Sequence, residues 1–136
     1  MKLEIKFRAF LNSKYYENPC MMSWEELLEQ YDAVDMFKGD MMTLMQYTGL
    51  HDKNGREIYE SDIVRVQETM DGGRIVCLEA IASVFWNKER GCWGCEGGFE
   101  GHLADYAFGT KLNVMGNVCE VVGNIYENPE LLEAEK

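Results

Sequence analysis

The chain alternates early. In LEIKFRAF, residues 3–10, Leu3, Ile5 and Phe7 are apolar and Glu4, Lys6 and Arg8 stand between them. That period of two predicts a first strand with one buried and one wet face. The polar stretch NSKYYENP follows, and Pro19 ends whatever precedes it. The period then changes. In SWEELLEQY, Ser23 and Glu26 have the spacing of a capping box, while Trp24, Leu27, Leu28 and Tyr31 fall at helical spacing. This predicts a short helix over Ser23–Tyr31, with those four side chains as its buried stripe. DAVDMFKGD then breaks away toward a turn at Gly39.

From residue 41 onward the pattern is one of strands and punctuation. MMTLMQYTGL and EIYESDIVRV flank HDKNG, and Asn54-Gly55 suits positive φ, so a tight hairpin turn is predicted there. Asp71-Gly72-Gly73 marks a second turn, and a long apolar strand, IVCLEAIASVFW, follows it. NKERG is a third turn. The next stretch, CWGCEGGFEG, belongs to a segment with five glycines between 91 and 101, which suggests a bulge or a close backbone approach. HLADYAFGTKL reads as either a short helix or irregular chain. A strand through Val121 to Tyr126 precedes a last short helix, Pro129–Glu135, with Asn128 as its cap and Pro129 at its first position. Strand signals at short spacing, with few and short helices, predict a mainly β chain of small-barrel or sandwich type.

Length and composition narrow this further. At 136 residues, one domain over 1–136 is expected, and 46% hydrophobic content supports a real core. There is no run of 18 apolar residues and no apolar signal segment, so neither a membrane partner nor secretion is expected. The net charge of −11 is unevenly placed: residues 1–20 carry +2 and the remainder −13. Such a surface repels a phosphate backbone, so direct nucleic-acid binding is not expected. Five cysteines (Cys20, Cys77, Cys92, Cys95 and Cys119) without a signal segment imply free thiols in a reducing cytoplasm.

Candidate chemistry is sparse. Cys92 and Cys95 form a C-x-x-C, and His102 with Cys119 would complete a four-ligand zinc set, but a second pair at zinc spacing is missing. Two small residues in a hairpin is the simpler reading. His51 and His102 lie in no catalytic motif, and no phosphate-cradling Gly-rich loop is present. Phe85, Trp86, Trp93 and Phe99 suit a core better than a stacking platform, because the basic groove of such platforms is absent. The nine methionines suit either gap filling or an adaptable contact surface.

Three strings together carry a resemblance: IKFRAF at the start, LMQYTGLHDKNGREIYESDIVRV in the middle and EVVGNIYENPELL at the end. In this order and spacing the chain resembles the YopX family of phage and prophage proteins. One departure is Ser61, where the family pattern has Gly before DIV. The resemblance implies a mainly β fold with an SH3-like barrel, and it brings no activity, cofactor or catalytic residues. The matched residues Gln46, Tyr47, Thr48, Gly49, Asp52, Gly55, Ile58, Tyr59 and Asp62, with Gly123, Asn124, Tyr126 and Pro129, are either a shared surface or shared folding instructions. The expectation is a non-catalytic module that binds a protein partner or itself. Its surface would be a polar acidic rim of Gln46, Tyr47, Asp52, Glu60 and Asp62, with Tyr59 or Tyr126 as anchor. One alternative is a metal-dependent enzyme acting on nucleotides or phosphates through Asp52, Glu60 and Asp62. Another is an acidic decoy for a host nucleic-acid-binding protein.

Overall fold

A computed structural model of the chain describes residues 4–12, 14, 16–69, 77–98, 100–108 and 118–133. The elements are β1 (Phe7–Leu11), β2 (Met21–Met22), α1 (Trp24–Glu29), α2 (Ala33–Lys38), β3 (Met42–His51), β4 (Glu57–Tyr59), β5 (Asp62–Thr69), β6 (Cys77–Asn87), β7 (Cys92–Gly97), β8 (Gly101–His102), a 3-10 turn (Leu103–Asp105), β9 (Val118–Asn124) and α3 (Glu130–Glu133). The chain is mainly β with few, short helices, as the strand signals predict. The chain divides into two compact units, Met1–Tyr47 and Thr48–Lys136, and each has its own apolar cluster.

In the first unit, β1 pairs antiparallel with β2 and with the first half of β3, so that Ala9 stands opposite both Met22 and Leu44. The strand starts at Phe7, later than the alternation suggests, and Ile5 is exposed. The cluster consists of Ala9, Met22, Leu27, Met36 and Met42. Unbranched methionines conform to irregular gaps left by short elements, so these are filler and not a contact surface. The capping box forms as predicted: Glu26 N–H donates to Ser23 Oγ at 3.2 Å, and Ser23 N–H donates to Glu26 Oε1 at 3.2 Å. The predicted stripe is corrected. Gln30 ends α1 in an extended conformation, so Tyr31 lies on no helix face, and only Leu27 of the four is buried. The segment after it is also corrected, because Ala33–Lys38 is a second helix with Met36 buried. Its single buried side chain gave too weak a periodicity to be read.

In the second unit a five-stranded antiparallel sheet runs in the order β8-β7-β6-β5-β9. Val64, Val66, Ala82, Val84, Cys95, Cys119 and Val121 line one face and join Ile58, Leu103 and Ala107 in the core. Register explains this grouping, since Val64 stands opposite Ala82 and Val121, and Val84 opposite Cys95. The other face bears Ser83, Phe85, Asn87, Cys92, Gly94 and His102. α3 packs on β6, and Leu132 shares a cavity wall there with Ile81 and Ser83. Phe85 and Trp86 therefore point to opposite faces and form no common platform. Trp93 packs against the core and meets Trp86 edge-on at 5.1 Å.

Several turns form where predicted, with adjusted chemistry. The NKERG turn closes through Gly91 at φ 65, and Asn87 Oδ1 accepts from Glu89 and Arg90 N–H. The expected turn at Asp71-Gly72-Gly73 and residue Phe99 lie outside the described residues. HLADYAF resolves as the 3-10 turn followed by a bridge between Phe108 and His51. β9 ends at Asn124, before the expected Tyr126. The helix is Glu130–Glu133, and Glu135 of the expected span lies outside the described residues. Asn128 does not cap that helix with its side chain. Its Oδ1 instead accepts from Asn124 N–H at 3.2 Å, which draws the side chain over Gly123. A Cβ on Gly123 would lie 2.5 Å from that oxygen, so this glycine supplies space, not positive φ.

Ser61 stands at φ 71, a left-handed conformation that an L side chain enters at a cost of roughly 1–2 kcal/mol. Its backbone is held there because Ser61 N–H donates to Val84 O at 2.8 Å and Ile125 N–H donates to Ser61 O at 3.0 Å. Glycine's greater freedom in the unfolded chain offsets part of the relief. Ser61→Gly is therefore expected to raise stability by about 0.5 kcal/mol. Urea midpoints of the two proteins measure this, and a lowered midpoint would refute it.

Candidate functional site

The hairpin turn between β3 and β4 is built around Asp52. Gly55 N–H donates to Asp52 O at 3.0 Å, and Asp52 N–H donates to Arg56 O at 2.9 Å. Gly55 alone takes positive φ, at 78°; Asn54 does not. This corrects the Asn54-Gly55 expectation. A type I turn followed by a left-handed glycine bulge needs one such residue, whereas a two-residue type I′ turn needs two. The Asp52 side chain is 1% exposed. Its Oδ1 accepts from Asn54 and Arg56 N–H, both at 2.9 Å, and its Oδ2 accepts from Val121 N–H at 2.9 Å. Lys53 N–H adds a bond to Cys119 O at 3.0 Å. The turn thus covers the outer edge of β9, where bare amides would otherwise invite another strand.

Outside the turn, Glu120 gathers Asn54 Nδ2 at 3.2 Å, Arg65 Nη2 at 2.6 Å and Lys53 Nζ at 3.6 Å. The Asn54 hydrogen bond first, then the Lys53 and Arg65 charges, hold its carboxyl below the ordinary range, against partial desolvation.

The remaining sequence candidates separate. Asp62 is 1% exposed, and its Oδ2 accepts from Tyr59 N–H at 2.8 Å. It stands opposite Asn124 in register. Asn124 organises the next loop: its Oδ1 accepts from Tyr126 and Glu127 N–H at 3.0 and 2.9 Å, and its Nδ2 donates to Glu127 Oε1 at 2.8 Å. Tyr59, Glu60, Asp62 and Tyr126 thereby lie near the joined ends of β5 and β9, all but buried Asp62 being half-buried. Gln46 and Tyr47 belong to the first unit. Gln46 is exposed, while Tyr47 is buried with Lys6 Nζ 4.8 Å from its ring centre. A solvent-facing acidic rim is not what these residues make, because Asp52 and Asp62 point inward to main-chain amides. No sequence cue separated a carboxylate that faces water from one that folds back onto its own turn.

The cysteine candidates also part. Cys92 and Cys95 are three apart on a strand, so they face opposite sides of the sheet. Cys95 and Cys119 lie in the core. Burial first, then the adjoining Cys119 thiol for Cys95 and the Asp52 carboxylate for Cys119, pushes both up to about 12. Cys92, on the other face, places its Sγ 3.3 Å from His102 Nδ1. The four candidate zinc ligands do not converge, and among the described residues no group of three or more His, Cys, Asp or Glu is placed to hold a metal. Beside the Cys92–His102 pair lies a cavity of about 370 Å³, whose lining includes Phe85, Asn87, Arg90, Glu96, Glu100 and His102. Gly94 keeps its floor low: a Cβ there would lie 3.0 Å from the Phe85 ring. Sequence reasoning missed Phe85, Arg90, Glu96 and Glu100 as a group. Period-two alternation places Phe85 with Cys92, but only strand register brings them together.

No helix among the described residues is long and apolar enough to cross a membrane. A family model described as YopX protein matches residues 6–133. No curated protein matches the chain. Among solved structures, the chain is similar to the crystal structure of protein EF1440 from Enterococcus faecalis, at 23% identity over 96% of this chain and 99% of that one, with a TM-score of 0.49.

Proposed function

This chain belongs to the YopX protein family, and we propose that it is a non-catalytic module that recognises a protein surface. The observation that carries this reading is the apolar exposure in the first unit. Tyr31 is 98% exposed, Leu28 66% and Val34 63%, all within the short segment from the end of α1 to the start of α2. Ordering three apolar side chains in water brings no stability to the fold, whereas aromatic anchors flanked by aliphatics dominate many protein interfaces. The inward turn of Asp52 and Asp62 argues in the same direction, since it removes two of the three oxygen ligands a metal-dependent enzyme would use. The net charge of −11 disfavours a nucleic-acid ligand and speeds encounter with a basic protein face.

The test is a triple variant, Leu28→Ser with Tyr31→Ser and Val34→Ser. These side chains are exposed, so the thermal midpoint should hardly move. Sedimentation of the pure protein and affinity capture from host lysate are then compared between wild type and variant. The expected result is self-association, or one stoichiometric partner, in the wild type, weakened at least roughly tenfold in the variant, the loss of about 1.4 kcal/mol that one anchor supplies. A monomeric wild type that captures nothing, or binding that the triple variant leaves unchanged, refutes the proposal.

A further inference from the structure

We propose that Cys92 and His102 form a site of covalent thiol modification, and that it takes small zwitterionic disulfides seated in the adjoining cavity. The site is separate from the exposed apolar segment of the first unit and does not depend on the recognition role proposed for it.

Three observations converge. First, the thiol has a base at hydrogen-bond distance: Cys92 Sγ to His102 Nδ1 is 3.3 Å. For Nδ1 to accept, the ring carries its proton on Nε2. A nucleophilic sulfur beside a proton acceptor is the pairing that thiol chemistry needs, because the thiolate is the attacking form. Second, the pair adjoins open space through His102. Cys92 is half-buried, His102 exposed, and His102 forms part of the wall of the 370 Å³ cavity. A compact organic molecule fits there, above the Phe85 ring and the bare backbone of Gly94. Third, the walls carry both signs. Arg90 lines the cavity together with Glu96 and Glu100. One guanidinium for a carboxylate and two carboxylates for an ammonium match a ligand bearing both groups, as an amino-acid-type disulfide does.

The step balances without a further oxidant. The Cys92 proton passes to His102 Nδ1. The thiolate attacks one sulfur of the small disulfide, whose S–S bond breaks as a new S–S bond to Cys92 forms. The other half leaves as a thiolate and takes the proton up again. Cys92 sulfur is oxidised, and the departing half is reduced. The remaining described thiols are poorly suited: Cys95 and Cys119 are buried and held in the protonated form, and Cys20 is exposed but lines a different cavity, in the first unit.

The experiment uses the full chain, reduced and then freed of reductant. It is exposed separately to cystine, to cystamine as a cationic disulfide and to dithiodipropionate as an anionic one. Peptide mapping by mass spectrometry follows the adduct at each cysteine over time, with Cys20 as the internal reference. Cystine is expected to modify Cys92 at least tenfold faster than Cys20, and faster than either disulfide that carries charge of one sign alone. His102→Gln, a surface change, is expected to slow Cys92 roughly tenfold, on the modest side of general-base effects, and to leave Cys20 unchanged. Arg90→Gln is expected to remove the preference for cystine over cystamine. Equal rates at Cys92 and Cys20, or a Cys92 rate untouched by His102→Gln, overturn the site. Indifference to the charge of the disulfide overturns the ligand class.

Discussion

Asp52→Ala is expected to lower the unfolding free energy by roughly 3–5 kcal/mol, a large part of what a domain of this size possesses. The reason lies in three main-chain amides. Asn54, Arg56 and Val121 N–H all donate to this one buried carboxylate. A buried amide left unpaired costs about 1–3 kcal/mol, and water entering the vacated space recovers part of that. Asp52→Asn should be milder, since it keeps one acceptor, but its NH2 then faces a donor. Urea unfolding monitored by tryptophan fluorescence measures both. A loss under about 1 kcal/mol for the alanine variant would mean that the turn is held by its backbone alone. The same variant bares the outer edge of β9, so light scattering should rise with concentration before global unfolding is seen.

Alkaline titration is expected to give the second large effect. The Cys95 and Cys119 thiols ionise at about 12 in the folded chain, against 9.0 when unperturbed. Between those values the unfolded state releases protons that the native state keeps. Stability is therefore full below pH 9 and falls as pH rises toward 12, by about 1.4 kcal/mol per pH unit for each thiol. Near pH 10 the combined loss should be about 2–3 kcal/mol relative to pH 8. Tyrosines and lysines titrate in the same window, so the comparison is with Cys95→Ala combined with Cys119→Ala, which should flatten the profile. A double variant with the same slope as wild type would show that these thiols are not the groups that matter.

These two effects share an origin. Both depend on a small polar or ionisable group placed inside by strand register. Asp52 reaches Val121 because the hairpin turn lies against β9, and Asp52 in turn raises the Cys119 thiol. In the sequence, Asp52 read equally well as a turn residue and as a rim carboxylate. A carboxylate has the same one-letter code in both places.

Local rules sufficed for much of the chain. The Ser23–Glu26 capping box, the Asn87–Gly91 turn, the strand character of MMTLMQYTGL and CLEAIASVFW, and the likeness to the YopX family could all be read from neighbouring residues. Each of these depends on contacts a few residues apart, where side-chain type and backbone preference act directly. Contacts distant along the chain could not be read. The inward carboxylates, the separation of Cys92 from Cys95 across the sheet, and the Cys92–His102 pair beside Phe85 and Arg90 all follow from which strand pairs with which, and in what register. Register is a sum over many weak cross-strand contacts, and moving it by one residue would exchange every inward side chain for an outward one.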